Sequence, residues 1–128
     1  MPTLLVVDDC PVILALHSTL FCFSGFSVLV CDSGRKALAC LEQSAVDLII
    51  TDFNMPGIDG FCMAKQARAN GFEGPILMAT GADLRSQPGH EWVDEVIAKA
   101  QGPEVLLDAV RRHLATLSPG KADLRWAA

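Results

Sequence analysis

The chain has 128 residues, 51% of them hydrophobic and 20% charged, with a net charge of −5 and five cysteines. That length holds one domain whose core needs no metal or disulfide staple, and no apolar run approaches the roughly 18 residues that span a bilayer. A negative balance with no basic cluster excludes direct binding to a nucleic-acid backbone, which takes Lys and Arg gathered on one face, so the expected partner is another protein. The first residues, Met-Pro-Thr-Leu-Leu, carry no basic region, and the apolar run they begin meets Asp8 and Asp9 almost at once, which excludes a signal peptide and predicts a soluble, cytoplasmic protein with no membrane insertion. An odd number of cysteines with no Cys-x-x-Cys spacing predicts reduced, mostly buried thiols rather than a disulfide framework or a zinc site.

Taken in order, Leu4 to Val7 reads as a strand that ends on Asp8 and Asp9. Pro11 then opens a helix expected to turn Ile13, Leu16, Leu20 and Phe23 inward, closed by Gly25. Ser27 to Cys31 is the second strand, and Asp32 or Ser33 caps a helix with Ala37, Leu38 and Leu41 inward. Val46, Leu48, Ile49 and Ile50 form a short, β-branched, nearly continuous apolar run, as a strand covered on both faces requires, and it ends on Asp52. Pro56, Gly57 and Gly60 stop that strand and turn the chain into a helix from about Phe61 to Ala69, ended by Asn70-Gly71. Pro75 to Ala79 is the fourth strand, finishing at Thr80-Gly81. A short helix is expected within Ala82 to Trp92, interrupted by Pro88-Gly89. Glu95 to Ala98 is the fifth strand and ends at Lys99, after which Gly102 and Pro103 start a helix with Leu106, Val110, Leu114 and Leu117 on one stripe and Arg111, Arg112 and His113 near its C-terminal dipole. His17, His90 and His113 are read as exposed helix residues with no ligand-forming neighbours. Residues 1–117 make the domain; 118–128, with Trp126, make a tail.

Strands alternating with helices and joined by short turns specify an α/β fold, a doubly wound five-stranded parallel sheet with helices on both faces. Ligands bind such a sheet at the carboxyl ends of its strands, and there the chain supplies Asp8, Asp9, Asp52, Thr80 and Lys99. Taken singly these are ordinary: paired aspartates cap helices, a strand-end Thr is common, and a lone Lys is solvated. Together they have one economical use. Three carboxylates and one ammonium leave a charge of −2, which a hard divalent ion such as Mg²⁺ neutralises, with the backbone carbonyl of Asn54 as a further ligand. Asp52 is then free to act as a nucleophile that forms an acyl phosphate, with Lys99 and the Thr80 hydroxyl holding phosphoryl oxygens.

Val-Asp-Asp-Cys-Pro at Val7 to Pro11, Thr-Asp-Phe-Asn-Met-Pro-Gly-Ile-Asp-Gly at Thr51 to Gly60, Ala-Thr-Gly at Ala79 to Gly81, and Lys99 together resemble the response regulator receiver domain over about Thr3 to Leu117. The resemblance implies a flavodoxin-like strand order 2-1-3-4-5. It also implies that Asp52 accepts phosphate from a sensor histidine kinase or phosphotransfer protein, that Asp8, Asp9, Asp52 and the Asn54 carbonyl hold Mg²⁺, and that Thr80 and Lys99 follow the phosphoryl group. On that reading the chain is a switch rather than an enzyme, signalling to a downstream protein target through its fourth helix and fifth strand. Two residues depart from the family pattern. Ala100 stands where the family has proline after the lysine, and since a non-proline cis bond costs about 3 kcal/mol the loop is expected to be trans or looser. Val96 stands where the family has the aromatic of a rotamer switch, so switching is expected to proceed without one. The competing readings are a phosphorylation-independent interaction module and a Mg²⁺-dependent aspartyl-phosphate phosphohydrolase. The latter resembles a different pattern, with Asp-x-Asp on the first strand and a substrate cap for which this chain has no insertion.

Overall fold

The computed structural model describes residues 1–116. In chain order the elements are β1 (Thr3–Val7), α1 (Pro11–Phe23), β2 (Ser27–Cys31), α2 (Gly34–Gln43), β3 (Leu48–Thr51), α3 (Gly60–Ala69), β4 (Ile76–Thr80), β5 (Glu95–Ala98) and α4 (Pro103–Ala115), with 3-10 turns at His90–Trp92 and Lys99–Gln101. All strand pairs are parallel, in the order β2-β1-β3-β4-β5.

Period-2 alternation along the strands places the two main cores on opposite faces of the sheet, with a smaller cluster of Phe61, Met78 and Leu84 beside them. Leu4, Val6, Leu48, Ile50, Leu77, Ala79 and Ile97 face one side, where Phe21 of α1 and Leu106, Val110 and Leu114 of α4 cover them. Leu5, Val7, Ile49 and Ile76 face the other, under Ala37 of α2 and Met63, Ala64 and Ala67 of α3. Because β1, β3 and β4 are covered on both faces, their sequences are apolar at nearly every position, and each buried Leu, Ile or Val contributes roughly 1.5–3 kcal/mol of transfer free energy. Local chemistry sets the helix starts: Ser33 accepts the Lys36 N–H at 3.2 Å, and Asp59 accepts the Cys62 N–H at 2.8 Å.

Four expectations are corrected. The helix foreseen within Ala82 to Trp92 is absent; the segment is irregular until the 3-10 turn, and Gly89 at φ 116° bars a right-handed helix from running through it. It is nevertheless held: Leu84 is buried, and His90 Nε2 lies 2.7 Å from the Leu84 carbonyl oxygen. In α1 the buried residues are His17 and Phe21, whereas Leu16 and Phe23 are 50% and 89% exposed. The residues Pro11–Phe23 include no Asp, Glu, Lys or Arg, so apolar periodicity had no polar face against which to be read. The histidines are likewise not all exposed. His17 is buried, and His113 is part-buried with Nε2 2.9 Å from Glu95 Oε1. The cysteines are free, but Cys10 and Cys22 are exposed and the others only half-buried, Cys31 and Cys40 at the margin of the core under α2. Leu117 and Trp126 lie outside the described residues.

Candidate functional site

The parallel register brings the acids together. Val7 pairs with Thr51, so the residues that follow them, Asp8 and Asp52, leave neighbouring strands at the same edge. Carboxylate oxygens of Asp8, Asp9 and Asp52 all lie within 4.8 Å of one another. Asp8 is 3% exposed and doubly anchored, Oδ1 accepting the Cys10 N–H at 2.9 Å and Oδ2 accepting Lys99 Nζ at 2.8 Å. Asp52 accepts the Phe53 N–H on Oδ1 at 2.8 Å, and its Oδ2 lies 3.3 Å from the same Lys99 ammonium. Asp9 is the exposed member of the cluster.

Thr80 ends β4, opposite Ala98 in the β5 register, and Lys99 follows Ala98 directly. The Thr80 hydroxyl oxygen accepts the Ala82 N–H at 3.1 Å, and its proton has no acceptor among the described residues. Asn54 is exposed, and its carbonyl accepts no hydrogen bond from the described residues. All the residues singled out from the sequence are therefore gathered at one edge. One contributor was under-read. A Cβ on Gly60 would stand 2.3 Å from the Asp52 carbonyl oxygen, so only glycine lets α3 begin against the backbone of Asp52. The Pro-Gly-rich stretch signalled a turn but not this close approach.

A family model described as the response regulator receiver domain matches residues 4–111. The chain belongs to the response regulator receiver domain family. Regulatory protein VanRc of Enterococcus gallinarum is 35% identical over 114 residues, covering 87% of this chain and 49% of that protein. Among solved structures, response regulator TrrA of Thermotoga maritima in complex with Mg²⁺-BeF has a TM-score of 0.82 at 29% identity, covering 88% of this chain and 98% of that one. The structure of histidine kinase ThkA in complex with TrrA gives a TM-score of 0.81 at 29% identity, covering 92% of this chain and 100% of that one. The chain spans about half the length, or less, of the curated relatives it matches. It is a receiver domain of two-component systems, with the five-stranded order 2-1-3-4-5 and helices on both faces. No helix among the described residues is long and apolar enough to cross a membrane.

The receiver's edge is electrostatically unbalanced. Burial, then the charge of Asp8, push the Asp52 carboxyl above its ordinary range, against the opposing pull of Lys99 and the Phe53 amide. Burial alone would lower the Lys99 ammonium, but its hydrogen bond to Asp8 and the charges of Asp52 and Asp8 outweigh that and raise it. Three carboxylates against one ammonium leave a charge of −2, all the donors are hard oxygens, and the Asn54 carbonyl accepts no hydrogen bond from the described residues. That set fits a hard divalent cation. The two departures take definite form. The bond between Lys99 and Ala100 is trans, in a 3-10 turn closed by the Gly102 N–H on the Lys99 carbonyl at 3.1 Å. Val96 packs half-buried against Phe61, Met78 and Leu84.

Proposed function

We propose that this receiver accepts a phosphoryl group on Asp52 from the phosphohistidine of a sensor kinase or phosphotransfer protein. A carboxylate oxygen of Asp52 attacks phosphorus in line, the P–N bond breaks, the imidazole nitrogen leaves with the bonding pair, and an acyl phosphate forms. Lys99 exchanges its contact with Asp52 Oδ2 for a phosphoryl oxygen while keeping its hydrogen bond to Asp8, and Thr80 donates its uncommitted hydroxyl proton to another. Mg²⁺, held by Asp8, Asp9, Asp52 and the Asn54 carbonyl, would neutralise the charge gathered on the transferring group. Loss of the phosphoryl group to water returns the switch to rest, so the chain acts on no substrate other than its own acyl phosphate. The observation that carries this reading is the single ammonium shared by Asp8 and Asp52 inside a three-carboxylate cluster. The phosphate-independent module leaves this cluster without a use, and the phosphohydrolase pattern puts its nucleophile on the first strand, whereas Asp52 follows β3.

The donor's docking face is α1, which rises directly from the acid edge. Val12 is 73%, Leu16 50% and Phe23 89% exposed, on a helix without a charged residue, as the centre of a protein interface requires. The structure of TrrA bound to histidine kinase ThkA supports a kinase as the partner. Five free thiols fit the reducing cytoplasm. The domain is taken as residues 1–117, consistent with the family match through residue 111 and with α4 ending at Ala115, and 118–128 as a tail. The decisive experiment incubates the protein with Mg²⁺ and acetyl phosphate and reads intact mass. The wild type gains one phosphoryl group and Asp52→Asn gains none; a variant that is phosphorylated at the wild-type rate overturns the assignment.

A further inference from the structure

Behind the acid edge, α1, the ends of β4 and β5 and the start of α4 line a partly open cavity of about 80 Å³. Its walls are apolar, from residues such as Ile13, Ile97 and Leu106, with two exceptions, His17 and Lys99. His17 is 7% exposed, its ring tilted against that of Phe21 at 6.2 Å, and neither ring nitrogen has a hydrogen-bond partner among the described residues. Burial holds its pKa below the ordinary histidine value, against the attraction of Asp8 and with the repulsion of Lys99, so the ring is neutral and presents one donor and one acceptor. A buried polar group left unsatisfied is expensive, roughly 1–3 kcal/mol, and an apolar residue at this point of α1 would avoid the penalty altogether. Lys99 has a matching surplus. Of its three N–H donors, one goes to Asp8 at 2.8 Å and one faces Asp52 at 3.3 Å, which leaves the third without a protein acceptor among the described residues. Water occupies about 30 Å³ in the liquid, so the cavity has room for one or two molecules, and His17 and Lys99 both line it.

We propose that His17 is a positioning residue for Lys99, joined to it by water held in this cavity, so that the ammonium stays aimed at the acid edge while it passes from Asp52 to the incoming phosphoryl group. The water oxygen accepts the third Lys99 N–H and the water donates to the unprotonated ring nitrogen. Asp8 anchors the ammonium from one side and the water from below, which leaves the contact to Asp52 as the one free to exchange. The role rests on the phosphoacceptor reading given above.

The test compares the wild type with His17→Leu, which fills the space without a polar atom, and His17→Gln, which keeps a donor and an acceptor. On unphosphorylated, metal-free protein, NMR should show a long-lived water with cross-relaxation to the His17 ring protons and an ordered Lys99 ammonium signal. In His17→Leu that ammonium signal should broaden. With acetyl phosphate and Mg²⁺, His17→Leu should lose on the order of tenfold in phosphorylation rate, short of the roughly hundredfold that an ångström of misplacement brings, while His17→Gln keeps most of the rate. A wild-type rate in folded His17→Leu, or no bound water at the ring, overturns the proposal. Should His17→Leu not fold, the wild-type water signal and the rate of His17→Gln decide it. A wild type that takes no phosphoryl group overturns the acceptor reading instead, and the NMR arms still judge the water bridge independently.

Discussion

Asp52 carries a negative charge that the fold does not fully compensate, and the sign of that imbalance can be measured. Its carboxyl is raised in the folded state, so the folded chain holds this proton more tightly than the unfolded chain does, and stability falls as pH rises from the ordinary carboxylate range through the raised pKa. Above that window the penalty is fully present. Asp52→Asn should therefore melt at a higher temperature than the wild type at neutral pH in chelator, lose the advantage at acid pH, and gain less from added Mg²⁺. Calorimetry with and without the ion checks this, and a variant that melts lower in chelator would show the acid edge to be balanced already. Lys99 is shifted in the same direction but titrates far higher: raised in the fold, its ammonium stabilises at neutral pH, and that contribution disappears only as alkaline pH passes its folded pKa. Gly60 sets the steric limit of the site. In Gly60→Ala the new methyl meets the Asp52 carbonyl oxygen at 2.3 Å and Met78 Cε at 2.6 Å. The side chain can yield but the backbone cannot, so about 1–3 kcal/mol of stability and much of the phosphorylation rate should be lost together, read by denaturant unfolding and intact mass.

At the scale of elements, α1 and the segment between β4 and β5 carry the two interaction predictions. Phe23 is 89% exposed, so Phe23→Glu leaves folding nearly untouched but places a charge in the proposed docking face. Transfer from a phosphorylated donor protein should slow at least tenfold, the scale of a single interface hot spot, while phosphorylation by acetyl phosphate stays unchanged. Equal slowing with both donors would move the docking face elsewhere. Residues 82–92 form an irregular loop that is tied at Leu84 and His90, with the His90 ring 4.9 Å from that of Phe61 and Phe61 5.4 Å from Phe53, next to Asp52. On the proposed reading phosphorylation pulls on Thr80 at one end of this loop, and Val96, stiff about χ1, cannot swing as an aromatic ring would. Amide exchange within 82–92 should therefore change on adding beryllofluoride, and His90→Ala should raise exchange there even at rest; protection unchanged in both cases would remove the loop from the switch. These are also the places where the sequence was least legible. Uncharged α1 offered no contrast from which to choose its inner face, and the loop's order comes from a His–carbonyl contact and a glycine at positive φ, neither of which has a periodicity.

Across the whole molecule, the legible part was what parallel pairing makes obligatory. Apolar runs covered on both faces could only be β1, β3 and β4, and a parallel sheet sends all their carboxyl ends to one edge, so Asp8, Asp52, Thr80 and Lys99 could be placed together from their positions in sequence. The cavity behind Lys99 was not legible, because it depends on how α1 and α4 meet, and His17 read as an ordinary helix residue until that packing was known. The pairing of Lys99 with Asp8 closes a separation of 91 residues, and it is the last strand, β5, that delivers the lysine. Contacts so distant along the chain form late, because the loop-closure entropy has to be met before they return any stability. During synthesis the polypeptide therefore carries its acids long before it has the ammonium to organise them. A ribosome-stalled chain ending before Glu95 should contain Asp52 yet take up no phosphoryl group from acetyl phosphate, so competence to signal arrives only with the final strand, and an unfinished receiver draws no phosphate from the relay.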